Sequence, residues 1–325
     1  MSGAPGGPPI SVVIPTHNTR ELTLACLASL GAAAGAEVEA EVEVLLVDDG
    51  SADGTAEEVA RRWPGVRLLR LAQPTGFAHA ANHGLAAAAG EVLLLLNSDA
   101  EVERGGLAAL RARFAAEPGV GVIGGALRYP DGTPQWSGGP APSLAWLFAQ
   151  ASGLPALAAR LPLYRRLRPV SAAHGSAAVD WVTGAAMAIR RAAWESAGPL
   201  DERFRFYGQD LDFCLRAGRL GWRTEVLSEL RVLHHHGGTI GRRENLELLW
   251  TDLLRWAAKT HGSAWARRAA RGLSCGGRLR RLGRACARPW VAAGRRTAFE
   301  AESAELERAL GALGAFSLAI PGGEV

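Results

Sequence analysis

Between Ser11 and Leu96 the chain alternates short apolar runs with stretches of helical spacing, and few folds accommodate that alternation. Residues 11–14, 43–47, 66–71 and 92–96 read as strands. Helical spacing fills 20–30, with Leu22, Cys26, Leu27 and Leu30 recurring, and then 56–63 and 77–89. Asp53 or Thr55 caps the second of these helices, and Gly90 ends the third. Parallel strands need a crossover connection, usually a helix, so repeated strand–helix–strand order predicts a parallel sheet. The run 92–96 is apolar at every position, as a strand covered on both faces requires, and belongs at the sheet centre.

In open sheets of this kind, ligands bind outside the carboxyl ends of the strands. Three polar clusters stand at those ends: Pro15-Thr16-His17-Asn18, Asp48-Asp49-Gly50-Ser51 and Asn97-Ser98-Asp99. A carboxylate fixed at the end of a buried strand can hold a divalent cation, which singles out Asp99. Asp49 is placed to accept hydrogen bonds from a nucleotide base or ribose. Taken singly, each cluster is also ordinary turn chemistry.

Residues 128–178 carry many Pro, Gly and Ser residues and read as a long, partly irregular excursion that can serve as a binding wall or lid. Strand character returns over 181–189, helix over 191–197 and 209–220, and strand over 226–233, which leads into His234-His235-His236. Asp210 and Asp212 stand at the start of the helix 209–220, beside the aromatic residues Phe204, Phe206 and Tyr207. The helix dipole favours acids there, and Asp212 with Arg216 makes an i, i+4 pair. Asp210 has no evident local partner and is the candidate catalytic carboxylate. One imidazole of the 234–236 run can join Asp99 on a metal, the alternative being a surface or capping run.

In this order the pieces resemble the family 2 glycosyltransferases, specifically the bacterial rhamnosyltransferase-like members with a GT-A fold, over about residues 10–240. The resemblance rests on Ser11-Val12-Val13-Ile14-Pro15-Thr16-His17-Asn18, Val47-Asp48-Asp49-Gly50-Ser51, Gly76-Phe77-Ala78-His79-Ala80-Ala81-Asn82-His83-Gly84 and Leu96-Asn97-Ser98-Asp99. It continues through Trp181-Val182-Thr183-Gly184-Ala185, Gly198-Pro199-Leu200-Asp201-Glu202-Arg203-Phe204 and Gln209-Asp210-Leu211-Asp212-Phe213-Cys214-Leu215-Arg216. It implies an α/β fold of GT-A type, a mostly parallel central sheet flanked by helices, with a C-terminal helical extension. The implied division is a nucleotide-sugar-binding half over 1–127, an acceptor-binding and catalytic half over 128–240, and a basic helical extension over 241–325.

By the same resemblance, Pro15, Thr16, Asn18, Asp49, Gly76, Asn82, Asn97 and Ser98 belong to the nucleotide-sugar site. Asp99 corresponds to the metal-binding aspartate of a DxD-type motif, with His234 as a further ligand and His235 as the near alternative. Asp210 corresponds to the general base, and Trp181, Gly184, Gln209 and Asp212 fall on the acceptor side. Three positions depart from the family pattern: Asn97 replaces the first aspartate of DxD, Gln209 a glutamate before the base, and Pro74 a common asparagine.

The implied reaction is inverting displacement at the anomeric carbon of a nucleotide-diphosphate sugar, a rhamnose-like hexose being favoured, assisted by Mg²⁺ or Mn²⁺. The acceptor is a hydroxyl of a glycan or polyprenyl-linked glycan in cell-surface polysaccharide synthesis. The alternative is a non-catalytic subunit of the same fold that binds a nucleotide sugar or glycan, against which Asp99 and Asp210 together argue. A nucleotidyltransferase predicts an early Gly-rich, basic phosphate loop, which Pro15-Thr16-His17-Asn18 does not supply.

With 325 residues and 48% hydrophobic content the chain can bury a full core. Its net charge of +4 is unevenly spread: ten arginines and no acid lie between Arg267 and Arg296. That block has two readings. It is a solvated helical face in a chain whose only lysine is Lys259, or a basic amphipathic surface, interleaved with Trp265, Leu273, Leu279, Leu282 and Trp290, that meets anionic lipid. No nucleic-acid-reading motif accompanies the arginines. Four cysteines without a CxxC pair read as reduced thiols. No targeting segment is visible at the start, and no run approaches the ~18 apolar residues of a membrane helix. The expected location is the cytoplasm, with peripheral contact at the inner face of the membrane left open.

Overall fold

In chain order the first elements are β1 (Ile10–Thr16), α1 (Arg20–Val38), β2 (Val42–Asp49), α2 (Thr55–Arg62), β3 (Arg67–Leu71), α3 (Phe77–Ala87), β4 (Val92–Leu96) and β5 (Ala100–Val102). There follow α4 (Gly106–Ala116), β6 (Val120–Arg128), β7 (Trp136–Gly139), α5 (Leu144–Ser152), β8 (Val170–Ser171), β9 (Ala177–Val179), β10 (Trp181–Val182), β11 (Ala186–Arg190), α6 (Arg191–Ala197), α7 (Gln209–Arg219) and β12 (Arg223–His234). The last helices are α8 (Leu246–His261), α9 (Ser263–Ala287) and α10 (Arg296–Ala319). This computed structural model describes residues 9–38, 42–154, 170–171, 175–205, 207–235 and 245–319.

β1 is buried along its whole length and carries a parallel neighbour on each side. The chain first winds outward through β2 and β3, then returns across β1 to β4, giving the sheet order β3-β2-β1-β4-β11-β6-β12-β5. β11 runs antiparallel to both β4 and β6, while β6 and β12 are parallel, so the long strands share one direction with β11 reversed. β4 is a run of leucines behind one valine, good helix formers that become a strand because both faces of the sheet centre are apolar. Crossing from β3 back past β1 creates a switch point, the place where such sheets open a crevice. Pairing of β1 with β4 ends at Val13 and Leu95, two residues before Pro15, so the missing proline N–H falls where that neighbour has already parted.

Several expected boundaries shift. The expected strand 181–189 is two pieces, β10 and β11, interrupted at Thr183-Gly184-Ala185. Helix α2 starts after Gly54, not at a side-chain cap; Asp53 holds that start by accepting from the Thr55 amide at 3.1 Å. On α1 the core takes Leu24 with Cys26, Leu27 and Leu30, leaving Leu22 half-buried. The stretch expected to be irregular contains β7 and α5. His236, the Gly237-Gly238-Thr239 turn, Phe206 and residues 155–169 of that stretch lie outside the described residues.

Two compact units emerge, one of Met1–Ala141, Pro169–Arg203 and Gln209–Arg243, the other of Pro142–Arg168, Phe204–Gly208 and Glu244–Val325. The first contains the large sheet. The second is helical: α9 turns Ala266, Ala269, Ala270, Leu273, Gly276 and Gly277 inward. A Cβ on Gly276 would lie 2.5 Å from the Phe148 carbonyl of α5, so small residues set how closely these helices approach. Asn245 Oδ1 and Glu305 Oε1 accept from the first amides of α8 at 3.0 and 2.7 Å. Among the described residues no helix is long and apolar enough to cross a membrane.

In the first unit α3 lies on β1 and β2 through Gly84, where a Cβ would fall 2.4 Å from Val13 Cγ1 and 2.7 Å from Val47 Cγ2. Gly84→Ala therefore overpacks this contact and is expected to destabilise by about 1–3 kcal/mol, read as a lower urea midpoint at unchanged m-value.

Candidate functional site at the carboxyl edge of the sheet

Because β1, β2, β4 and β12 point the same way, Thr16, Asp49, Asn97 and His234 come to one edge of the sheet. β11 starts at that edge, Ala186 pairing with Leu96, so the Thr183-Gly184-Ala185 break lies there too.

The first two loops lock together. His17 donates from Nδ1 to the Asp49 carbonyl at 2.7 Å, and the Asn18 backbone and side chain bond Ser51 Oγ and the Ala52 amide at 2.9 and 2.8 Å. Asn18 is the only described non-glycine residue with positive φ, 51°, a conformation that asparagine tolerates. The Asp49 carboxylate accepts from the Thr75 amide and hydroxyl, both at 2.7 Å, and from the Gly76 amide at 2.9 Å. It thereby pins the loop that starts α3. Gly76 has φ 100°, which disfavours any side chain, and a Cβ there would meet open space.

Thr16, Thr19, Thr23 and Ser98 form a buried hydroxyl cluster with oxygen separations of 2.8–3.2 Å, tying the end of β1 to the residue after Asn97. Asn82 donates to the Leu200 carbonyl and the Glu202 carboxylate and accepts from the Leu200 amide, so its carboxamide holds the loop 200–202 on α3. Hydrogen bonds from Asn82 and His79 hold the Glu202 carboxyl below its ordinary range.

The two acids at the start of α7 do different work. Asp212, 3% exposed, binds Arg216 Nε at 2.8 Å, and Arg216 reaches the carbonyls of Ala197 and Pro199. That i, i+4 pair fastens the loop before Leu200. Asp210 instead accepts from the Gly184 amide with Oδ2 and from the Leu211 amide with Oδ1, both at 2.8 Å. A Cβ at Gly184 would stand in ordinary van der Waals contact, 3.7 Å from Asp210 and 3.9 Å from the Phe77 ring. Trp181 is buried; its Nε1 donates to the Pro140 carbonyl and its ring meets Trp136 edge-on at 4.9 Å. Gln209 is likewise buried.

Opposite β4, the short pairing of β5 with β12 sets His234 against Ala100. His234 Nε2 then lies 3.3 Å from Asp99 Oδ1 and 3.4 Å from Asn97 Nδ2. Gln135 fixes the ring: its Oε1 accepts from Nδ1 at 2.9 Å and its Nε2 donates to the His234 carbonyl at 2.5 Å. With the proton held on Nδ1, the Nε2 lone pair faces the carboxylate, two electron-rich atoms with room for a cation's charge. Asn97 Oδ1 is buried with no hydrogen-bond partner among the described residues. His235 turns the other way, to Glu101 at 2.7 Å. Among the described residues no group of three or more His, Cys, Asp or Glu could hold a metal, so phosphate or water oxygens would have to complete a shell here.

Gln135 and Thr75 carry weight that sequence reading missed. Gln135 lies in a turn-rich stretch without periodicity, and Thr75 is distinguished only by preceding Gly76.

Residues 11–171 match the model of glycosyl transferase family 2. The chain is 32% identical over 231 residues to the N-acetylglucosaminyl-diphospho-decaprenol L-rhamnosyltransferase of Mycobacterium tuberculosis, covering 66% of this chain and 72% of that protein. Its fold is similar to the mannosyltransferase PcManGT from Pyrobaculum calidifontis in complex with GDP-Man and Mn²⁺, TM-score 0.59 at 18% identity, covering 97% of this chain and 88% of that one. It is also similar to S. aureus TarS 1–349 in complex with UDP-GlcNAc, TM-score 0.53 at 18% identity, covering 96% and 82%.

Gln135→Leu strips the buried His234 ring and carbonyl of their partners. We expect a loss of about 1–3 kcal/mol in thermal denaturation, whereas Gln135→Glu, which keeps an acceptor for Nδ1, should lose less.

Proposed function

The chain belongs to glycosyl transferase family 2, and we propose that within it the protein is a metal-dependent, inverting hexosyltransferase acting on a nucleotide-diphosphate sugar. The observation that carries this reading is the meeting of Asp99 and His234 at 3.3 Å on the sheet edge that also holds Gly184 and Asp210. The relative from Mycobacterium tuberculosis, whose name specifies L-rhamnose and a decaprenyl diphosphate, favours a rhamnose-like sugar and a polyprenyl-linked or other glycan acceptor of the cell surface.

In this reading Asp210 is the general base. Its two oxygens accept the Gly184 and Leu211 amides, which orients the carboxylate for the acceptor hydroxyl. Trp181, Gly184, Gln209 and Asp212 shape the acceptor side, Gly184 through its amide on Asp210 and Asp212 through Arg216. Pro15, Thr16, Asn18, Asp49, Gly76, Asn82, Asn97 and Ser98 form the donor side, several of them by fixing the loops that meet the nucleotide. A single displacement with the base on one side of the sugar and the leaving nucleotide on the other inverts the anomeric centre.

The Asp99 carboxylate and the His234 imidazole suit a hard divalent cation such as Mg²⁺ or Mn²⁺. Asp99 and His234 would hold it; His235, paired with Glu101, would not. Bound there, the cation supplies positive charge against the diphosphate as the nucleotide departs. The proposed division of labour is a donor half over 1–127, an acceptor half over 128–240 and a basic extension over 241–325.

Asp210→Asn should bind the nucleotide sugar as the wild type does while transfer falls by roughly 10²–10⁴-fold. Isothermal titration and a transfer assay read the two quantities separately; undiminished turnover in this variant removes Asp210 as the base.

A further inference from the structure

The buried face of α9 is made of alanine, glycine and leucine, and its opposite face is unlike an ordinary solvated one. Arg268, Arg271, Cys275, Arg278, Leu279, Leu282 and Cys286 are all exposed and recur at helical spacing along one side. No acidic residue interrupts them, because none occurs between Arg267 and Arg296. The acids of α10 are directed elsewhere: Glu307, Glu302 and Glu300 pair with Arg281, Arg284 and Arg288. Arg268, Arg271 and Arg278 make no ion pair among the described residues. Trp290, in a single 3₁₀ turn past the end of α9, is 88% exposed and Leu282, within α9, is 61% exposed, the two most exposed large apolar side chains described.

Uncompensated guanidinium groups interleaved with outward leucines and a tryptophan match one kind of surface, anionic headgroups over an acyl boundary. A phosphodiester backbone satisfies the arginines alone and gains nothing from Leu279, Leu282 and Trp290. We propose that the outer face of α9, with Trp290 at its end, docks on the surface of an anionic phospholipid bilayer. The inference deepens the reading of a polyprenyl-linked acceptor and rests on it for its purpose. The arginines attract the protein to the surface, and the apolar side chains seat it at headgroup depth.

The face carries its own reporters. Cys275 and Cys286 are exposed on it, whereas Cys26 and Cys214 are buried, and burial pushes both buried thiols up, Cys214 to about 12. The test is co-sedimentation of the full chain with phosphatidylglycerol or phosphatidylcholine vesicles, with maleimide labelling of Cys275 and Cys286 mapped by mass spectrometry. The expected result is binding to phosphatidylglycerol only, slower labelling of both thiols on the vesicle, and weakening in 1 M salt, where the Debye length falls to about 3 Å. Leu282→Ser with Trp290→Ser, which removes exposed groups and no charge, should weaken binding roughly tenfold, as should Arg271→Glu with Arg278→Glu. The proposal is overturned by absent binding, by binding that leaves both thiols fully reactive, or by binding that is unchanged in the serine variant and displaced by a short DNA duplex. Absent binding alongside intact transfer to a water-soluble acceptor removes the docking face and leaves the glycosyltransferase reading standing.

Discussion

The antiparallel pairing of β12 with β5 joins only Val232, Leu233 and His234 to Val102, Glu101 and Ala100, yet it makes a two-sided site from a strand-end aspartate. β4 alone delivers Asn97 and Asp99 to the edge of the sheet. Only the return of β12, three strands away in the sheet order, sets an imidazole 3.3 Å from that carboxylate. Gln135 then chooses which nitrogen faces inward, by holding the ring at Nδ1 and its own backbone carbonyl. His234, the last residue of β12, meets Asp99, whereas His235, just past the strand, meets Glu101.

Around this pair, the polar residues of the crevice divide their work between chemistry and architecture. Asp49 spends three hydrogen bonds on the loop ahead of α3, Asn82 three on the loop 200–202, and Asp212 its ion pair on Arg216. Loops at the ends of parallel strands have few apolar contacts of their own, so buried carboxylates and amides that bond backbone N–H groups set their course. Asp210 is the exception in kind. It holds the chain break at Gly184 with one oxygen and its own helix start with the other, and it remains half-buried at the edge.

Much of the frame was legible because burial imposes periodicity. The fully apolar 92–96 had to be a central strand, and the helix 191–197 was read with its observed bounds. The three strand-end clusters were legible for the same reason: polar residues directly after a buried strand mark the rim. What periodicity cannot carry was lost. The split between β10 and β11 depends on Gly184 meeting Asp210, a contact 26 residues apart, and the Thr16–Ser98 hydroxyl cluster on one 79 apart at Thr19. Gln135 sits in a segment without pattern, and its partner lies 99 residues on. The choice between His234 and His235 needed the register of a pairing that the sequence does not display.

The central claim is that Asp99 and His234 join the donor diphosphate through a divalent cation. Its most direct measurement is calorimetric titration of a nucleoside diphosphate into the protein with and without Mn²⁺, for the wild type, Asp99→Asn and His234→Ala. Mn²⁺ should tighten nucleotide binding by roughly tenfold or more in the wild type, and the gain should disappear in both variants while metal-free binding stays the same. Nucleotide affinity indifferent to Mn²⁺ in the wild type, or an equal gain in all three proteins, would contradict it.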